Sequence, residues 1–289
     1  MNSFEPKDVS VGKLQQLLLT AVSPRPIAWA STVSEDGVPN LAPFSFFNVF
    51  SANPPILIFS PARRVRNNTS KHTLDNVLNT KEVVINMISY DLVYQASLSS
   101  TDYDEGVNEF DKCGLTMLES DLVKPFRVAE SPVQLECKVS EVIALGDEGG
   151  AGNLVICELV KMHIVDEVMN EEGHIDQYKL DIVSRAGGSF YSRAQLGFFE
   201  IPKPIATMGI GFDAMPENVR NSMILSGNDL GMLANVEALP TEETILNFVK
   251  ELSQQYPDIE TMPHREKHKM AQNYLSYGDI DSAWKLLLS

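Results

Sequence analysis

The segment from Ser23 to Ser60 constrains this chain more than any other. Pro26 to Val33 is a short apolar run rich in small residues, and Val38 to Phe50 is a second run. Between them, Glu35-Asp36-Gly37 is a hairpin signal, because Asp-Gly supplies the left-handed backbone position that a tight turn requires. Asn53-Pro54-Pro55 then interrupts the chain before Ile56 to Ser60, since proline cannot donate to a strand ladder. Three strands joined by tight turns predict an antiparallel sheet and oppose alternating strand and helix units.

The rest of the chain extends this pattern. Pro61 to Ser70 reads as a polar, basic loop, and Thr73 can cap a short helix reaching about Leu78. Glu82 to Ser89 reads as a strand, Leu92 to Ser99 as a short helix, and Thr101 to Gly114 as an acidic loop. Val133 to Leu145 alternates, with Val133, Leu135, Cys137 and Val139 on one face and Gln134, Glu136, Lys138 and Ser140 on the other. The glycine-rich run Gly146 to Asn153 then turns the chain into a partner strand, Leu154 to Asp166. Near Ile201 the character changes. Pro202 and Pro204 mark a linker, and the remainder carries helical punctuation. Thr241 can cap a helix with Ile245, Phe248, Val249, Leu252 and Tyr256 on one stripe. Met270 to Leu288 reads as a helical hairpin around Gly278, with the small-residue spacing of a single tetratricopeptide unit and no second copy. Two regions are expected: residues 1–200 and 201–289.

With 44% hydrophobic residues in 289, the chain can bury a full core. No apolar run approaches the length of a membrane helix, the first residues lack the pattern of a signal peptide, and the three cysteines form no CxxC pair. These features predict a cytoplasmic protein without a disulfide framework or metal site. The net charge of −16 disfavours nucleic acid and anionic membranes as partners. The acids are unevenly placed, however. Val9 to Thr73 holds six basic residues and only two acids, a net +4, so the remainder carries −20. A buried apolar segment explains this, and so does an anionic ligand whose site excludes carboxylates; the two explanations are compatible.

Other patterns fail on context. Gly209 to Ala214 fits GxGxxA, but Pro216 follows at once and no long helix succeeds it, as a dinucleotide turn would require. The Gly146 to Gly152 run lacks the Lys-Ser/Thr of a phosphate loop. His264 and His268 share a helix face without forming HExxH, in a charged segment expected to be solvated. Arg185-Ala186-Gly187-Gly188, followed by Tyr191 and Arg193, permits close backbone approach to something flat or phosphorylated.

Taken together, SPRPIAWAST, the EDG hairpin, NLAPFSFFNVFSANPPILIFS, SKHTLDN, VVINM, LVKPFRVAESPVQLEC and SRAGGSFYSR form one constellation. In order and spacing it resembles the flavin reductase-like family of FMN-binding split barrels, over about residues 14 to 195. The resemblance implies a mainly-β fold: a six-stranded antiparallel Greek-key barrel with flanking helices, to which this chain adds a C-terminal helical appendage. It also implies a homodimer with one FMN per subunit near the interface. Carried onto this chain, it places Ala30, Ser31, Thr32, Ser45, Phe46, Phe47 and Asn48 by the flavin. Ser70, Lys71 and Thr73 would hold the phosphate, and Arg185, Gly187, Gly188 and Tyr191 would close the site. The chemistry is compatible: Lys71 offers a charge and Ser70 and Thr73 offer hydroxyls, with Arg63, Arg64 and Arg66 nearby to add field. One phosphate-binding segment favours FMN over FAD. The expected activity is an oxidoreductase passing electrons from NAD(P)H through FMN to a flavin, a ferric complex or a protein, with no catalytic side chain because the cofactor does the chemistry. An electron carrier without NAD(P)H turnover and a non-redox interaction protein are the alternatives.

Overall fold

The computed structural model describes residues 1–104, 106–201 and 208–289, in two compact units, Met1–Phe199 and Glu200–Ser289. The expected linker prolines, Pro202 and Pro204, lie outside the described residues.

The first unit opens with helix α1 (Val11–Ala21) and strands β1 (Ala28–Val33), β2 (Pro39–Phe44), β3 (Phe47–Ala52) and β4 (Pro55–Phe59). Helix α2 (His72–Thr80), β5 (Glu82–Asn86), α3 (Val93–Leu98) and α4 (Glu109–Cys113) follow. Next come β6 (Met117–Leu118), β7 (Arg127–Val128) and the long pair β8 (Val133–Ala144) and β9 (Asn153–Ile164). The unit closes with α5 (Gln177–Leu180), β10 (Val183–Arg185) and β11 (Tyr191–Arg193). Seven strands form one antiparallel sheet, in the order β2-β1-β5-β8-β9-β4-β3.

The sheet has seven strands, not six, because the run from Val38 to Phe50 is two strands. β2 is at one edge and β3 at the other, yet only Ser45 and Phe46 separate them. Three residue steps reach at most about 11 Å, whereas seven flat strands would span about 29 Å. The sheet must therefore curl until its edges approach. The packing agrees: the Phe44 ring on β2 lies 5.5 Å from the Phe59 ring on β4, and Ser60 N–H donates to Phe46 O at 2.8 Å. The curl encloses a core including Ala30, Phe59, Val83, Ile85, Cys137 and Cys157. A second core lies on the outer side of β1 and β5, where Trp29, Leu41, Ile88 and Phe110 pack together. Buried on both faces, β1 is inaccessible along its whole length.

Three local expectations need correction. Thr73 does not cap α2; Lys71 occupies the N-cap, and the buried Thr73 hydroxyl accepts from Asn40 Nδ2 at 2.9 Å. The acidic stretch Thr101–Gly114 is not all loop, since α4 is capped by Asn108, which accepts from Phe110 N–H, and ends at Gly114 with φ +64°. The polar face of β8 is not all solvated. Gln134 and Glu136 are buried, and Glu136 accepts from Asp121 N–H (2.9 Å) and Leu122 N–H (2.7 Å) beside His163 Nε2 (2.6 Å).

The second unit contains α6 (Glu217–Arg220), α7 (Gly227–Ala234), α8 (Glu242–Leu252), α9 (His264–Ser276) and α10 (Ile280–Leu287). Thr241 caps α8, and Gly278, with φ +77°, turns α9 into α10. Val249 and Leu252 join a core built around Leu233, Ile259, Trp284 and Leu286. The segment around His264 and His268 is not simply solvated. His268 is buried with Nδ1 2.7 Å from Ser222 Oγ, and the buried Lys267 donates to Ser289 O at 2.8 Å. Burial pushes the His268 imidazole below its ordinary pKa, as does neighbouring His264. Gly209 abuts the Ala234–Asn235 backbone, and no long helix follows it, so GxGxxA is a packing feature here. Among the described residues no helix is long and apolar enough to cross a membrane.

All three thiols are buried. Burial, with the Glu109 charge, pushes Cys113 up to about 11; burial, with Glu136, pushes Cys137 up to about 12; burial and Cys137 raise Cys157 as well. Because the thiolate is the reactive form, a chromogenic disulfide reagent at pH 8 should label none of the three in the native protein and all three in guanidinium. Rapid native labelling of Cys137 would contradict this packing.

Candidate functional site

Two adjoining cavities of the first unit share Pro43 and Ser100. The first is cationic. Its lining includes Arg64, Lys71, His72 and Thr73, facing Asn40 on β2 and the segment Ser99–Tyr103. The first turn of α2 supplies His72 and Thr73, and the unpaired N–H groups of a first turn favour an anion. Asn40 braces the wall by donating to Thr73 Oγ1 (2.9 Å) and Thr32 Oγ1 (3.2 Å). The second cavity is rimmed by Ser45, Ser97, Ser189, Arg185 and Tyr191. There the Arg185 guanidinium lies 4.6 Å from the Tyr191 ring centre, and its Nη1 donates to Phe190 O at 3.0 Å.

Arg64 organises the cationic end. It donates to Asp102 Oδ1 through Nε (2.9 Å) and Nη2 (2.6 Å), and its Nη1 donates to Thr69 Oγ1 (3.1 Å) and to the Ser70 carbonyl. Lys71 Nζ is 3.7 Å from Asp102 Oδ1. The Arg64 hydrogen bond, reinforced by the charges of Lys71, Arg64 and Arg66, holds the Asp102 carboxyl below its usual range despite some desolvation. Glu109, buried on α4, lines the same cavity and accepts from Leu41 N–H at 2.9 Å. Burial pushes its carboxyl up, against the opposing pull of the Leu41 N–H, its own N–H and the His72 charge.

Of the residues expected from sequence, Lys71 and Thr73 meet in the first cavity, while Ser45, Arg185 and Tyr191 meet in the second. Ser70 lies alongside, with its hydroxyl donated to Asp75 at 3.0 Å. Ala30, Ser31 and Thr32 are fully buried in β1 and line neither cavity; Thr32 is connected to the first through Asn40. Phe47 packs on the barrel core, Phe46 is exposed, and Asn48 accepts from Val49 N–H; none of these three is on either lining. Gly187 is closely approached, but by protein: an added Cβ would lie 2.3 Å from Thr20 Oγ1 of α1. Gly188, with φ +58°, faces open space and shapes the turn between β10 and β11.

Sequence reasoning missed Asn40, Ser97, Ser100, Asp102 and Glu109, and it gave Arg64 only a supporting field. The expectation of a carboxylate-free site also needs correction, because Asp102 and Glu109 enter from outside the basic segment. The Asn108 cap and the Gly114 stop are the signals that could have placed Glu109 on a short helix.

Comparison with known proteins adds an independent line. Residues 21–179 match the model of the flavin reductase like domain, and the second unit lies outside that match. An uncharacterized protein of Aquifex aeolicus is 37% identical over 191 residues, covering 66% of this chain and 95% of the relative. Nitrilotriacetate monooxygenase component B from Bacillus cereus superposes with a TM-score of 0.65 at 28% identity, covering 70% of this chain and 98% of that one. A Shewanella frigidimarina structure with a split barrel domain gives 0.60 at 23% identity, covering 70% and 100%. The curled sheet is thus a split barrel in fold, and the chain belongs to the family of flavin reductase like domains.

Proposed function

We propose that this protein is an FMN-dependent oxidoreductase of flavin reductase type, drawing electrons from NAD(P)H and delivering them to a flavin, a ferric complex or a protein. The observation that carries the reading is a pair of neighbouring cavities walled by the same Pro43 and Ser100: one brings together Arg64, Lys71 and the first turn of α2, and the other is rimmed by serines, Arg185 and Tyr191. That donor set fits a ligand with one phosphate and a flat, hydrogen-bonding ring. A single cationic cluster favours FMN over FAD. Bound FMN would supply the redox chemistry, accepting a hydride and releasing electrons. Arg64 and Lys71 would neutralise the phosphate, Thr73 would add a hydroxyl, Ser70 would add a second on turning away from Asp75, and Arg185 would bring positive charge to the ring end. Asn40 would fix the wall at the phosphate end, and the buried β1 residues would keep that wall rigid.

The active form is proposed to be a homodimer. Helix α1, VGKLQQLLLTA, has no buried residue, with Val11, Leu17 and Leu18 exposed. The edge strand β3 likewise exposes Val49 and Phe50. An apolar helix face and an uncovered apolar edge are the surfaces that a second subunit covers. Flavin binding is assigned to residues 1–200, with 201–289 as an appendage, and the buried thiols suit a reducing cytoplasm.

The test is direct. Protein purified with FMN should bleach at the flavin absorbance when mixed anaerobically with NADH or NADPH. Bleaching by dithionite alone would favour an electron carrier, and failure to bind FMN at all would refute the proposal. A chain ending at residue 201 should keep its flavin; a folded but colourless product would bring the appendage into the site.

A further inference from the structure

The cationic end of the groove contains its own anion. Asp102 is 2.6 Å from Arg64 Nη2, 3.7 Å from Lys71 Nζ and 4.0 Å from Arg66 Nη2. We propose that Asp102 is a specificity-determining counter-charge: its carboxylate competes with the ligand's phosphate for Arg64 and Lys71, so the flavin is held loosely enough to exchange. This rests on the flavin reading above and concerns the same site.

Charge and geometry support it. Arg64, Lys71 and the exposed Arg66 all face the one Asp102 carboxylate, which therefore offsets part of the positive charge that a phosphate dianion would otherwise meet alone. Arg64 spends its Nε and Nη2 donors on Asp102, the two-pronged arrangement that a guanidinium would otherwise offer to phosphate oxygens. A phosphate that takes those donors must displace the carboxylate or lie beside it, at a repulsive cost. Asp102 is half-exposed, so water can take over its solvation when the carboxylate loses Arg64, unlike the buried Glu109.

Nor does the cavity wall depend on Asp102 to stay in place. Ser99, at the start of that segment, is buried, accepts from Trp29 Nε1 at 2.8 Å and donates to Ala96 O at 2.9 Å. On the far side Lys112 Nζ lies 5.9 Å from the Tyr103 ring centre. The segment is thus anchored at Ser99 independently of the carboxylate, and an isosteric amide leaves that anchor untouched.

The experiment is a flavin-fluorescence titration of the full-length protein and its Asp102→Asn and Asp102→Glu variants, each with FMN and with riboflavin, which lacks the phosphate. Asp102→Asn should bind FMN about ten-fold more tightly, through slower release, with riboflavin affinity unchanged. Asp102→Glu, which keeps the charge, should stay close to the parent. Unchanged or weaker FMN binding by the Asn variant, an equal gain for riboflavin, or an equal gain in the Glu variant would each overturn the proposal. If no form binds FMN, the flavin reading itself fails and takes this inference with it.

Discussion

Replacing Arg64 and Lys71 together by alanine should weaken FMN binding by about a hundred-fold or more while leaving riboflavin affinity nearly unchanged. Each charge-assisted contact is worth about 1.5–3 kcal/mol, roughly ten- to a hundred-fold in affinity. The two residues share Asp102 as a partner, so their effects will not simply add. The double variant also leaves the Asp102 charge facing the phosphate with its nearest partners removed. Lys71→Ala alone should show the lower end of the range, because Lys71 is partly solvated and Arg64 remains. Parallel titrations of FMN and riboflavin, with circular dichroism to confirm folding, provide the check. If FMN affinity is kept in the folded double variant, the phosphate binds elsewhere.

The second large effect belongs to the helical unit. Trp284→Ala should destabilise it by about 3–5 kcal/mol, the usual cost of truncating a large buried aromatic. The side chain is 1% exposed, and its Nε1 donates to Leu233 O at 3.0 Å across the core. The variant therefore leaves both a cavity and a buried carbonyl without its donor. Urea unfolding followed by far-ultraviolet circular dichroism should show early loss of helix. Truncation of an exposed residue of the same unit, Leu246→Ala on α8, should by contrast shift the midpoint little.

Much of this fold could be read from local pattern. The Asp-Gly turn, the alternation along Val133–Leu145, the glycine-rich turn after it and the Thr241 cap all follow from short-range sterics and periodicity. What could not be read depends on packing between distant segments. Nothing local says that β2 and β3 go to opposite edges, because a curl is a property of the whole sheet. Gln134 and Glu136 alternate as solvent-facing residues would, yet the 119–128 segment folds over them and satisfies the carboxylate with backbone N–H groups. Lys267 and His268 sit in a highly charged run, and only their distant partners Ser289 and Ser222 account for their burial. At the site, Lys71 and Thr73 stood out as a short motif. Asp102 and Glu109 did not, because an acidic loop looks the same in sequence whether it faces water or a cation.

Under the proposed homodimer, helix α1 has a consequence for how the site behaves on dilution. It buries no residue, yet Arg25 ties its end by donating to the Leu19 and Val22 carbonyls and also to Ala186 O at 3.4 Å. Thr20 meanwhile fits against Gly187, which leaves no room for a side chain there. The helix and the Arg185–Tyr191 rim are thus mechanically one piece. If the proposed homodimer joins across α1, the partner would brace the rim through that helix. Subunit association and retention of the proposed flavin would then be linked equilibria, each favouring the other. A flavin affinity measured at low nanomolar protein would be weaker than one measured at micromolar protein, and added flavin would hold the pair together.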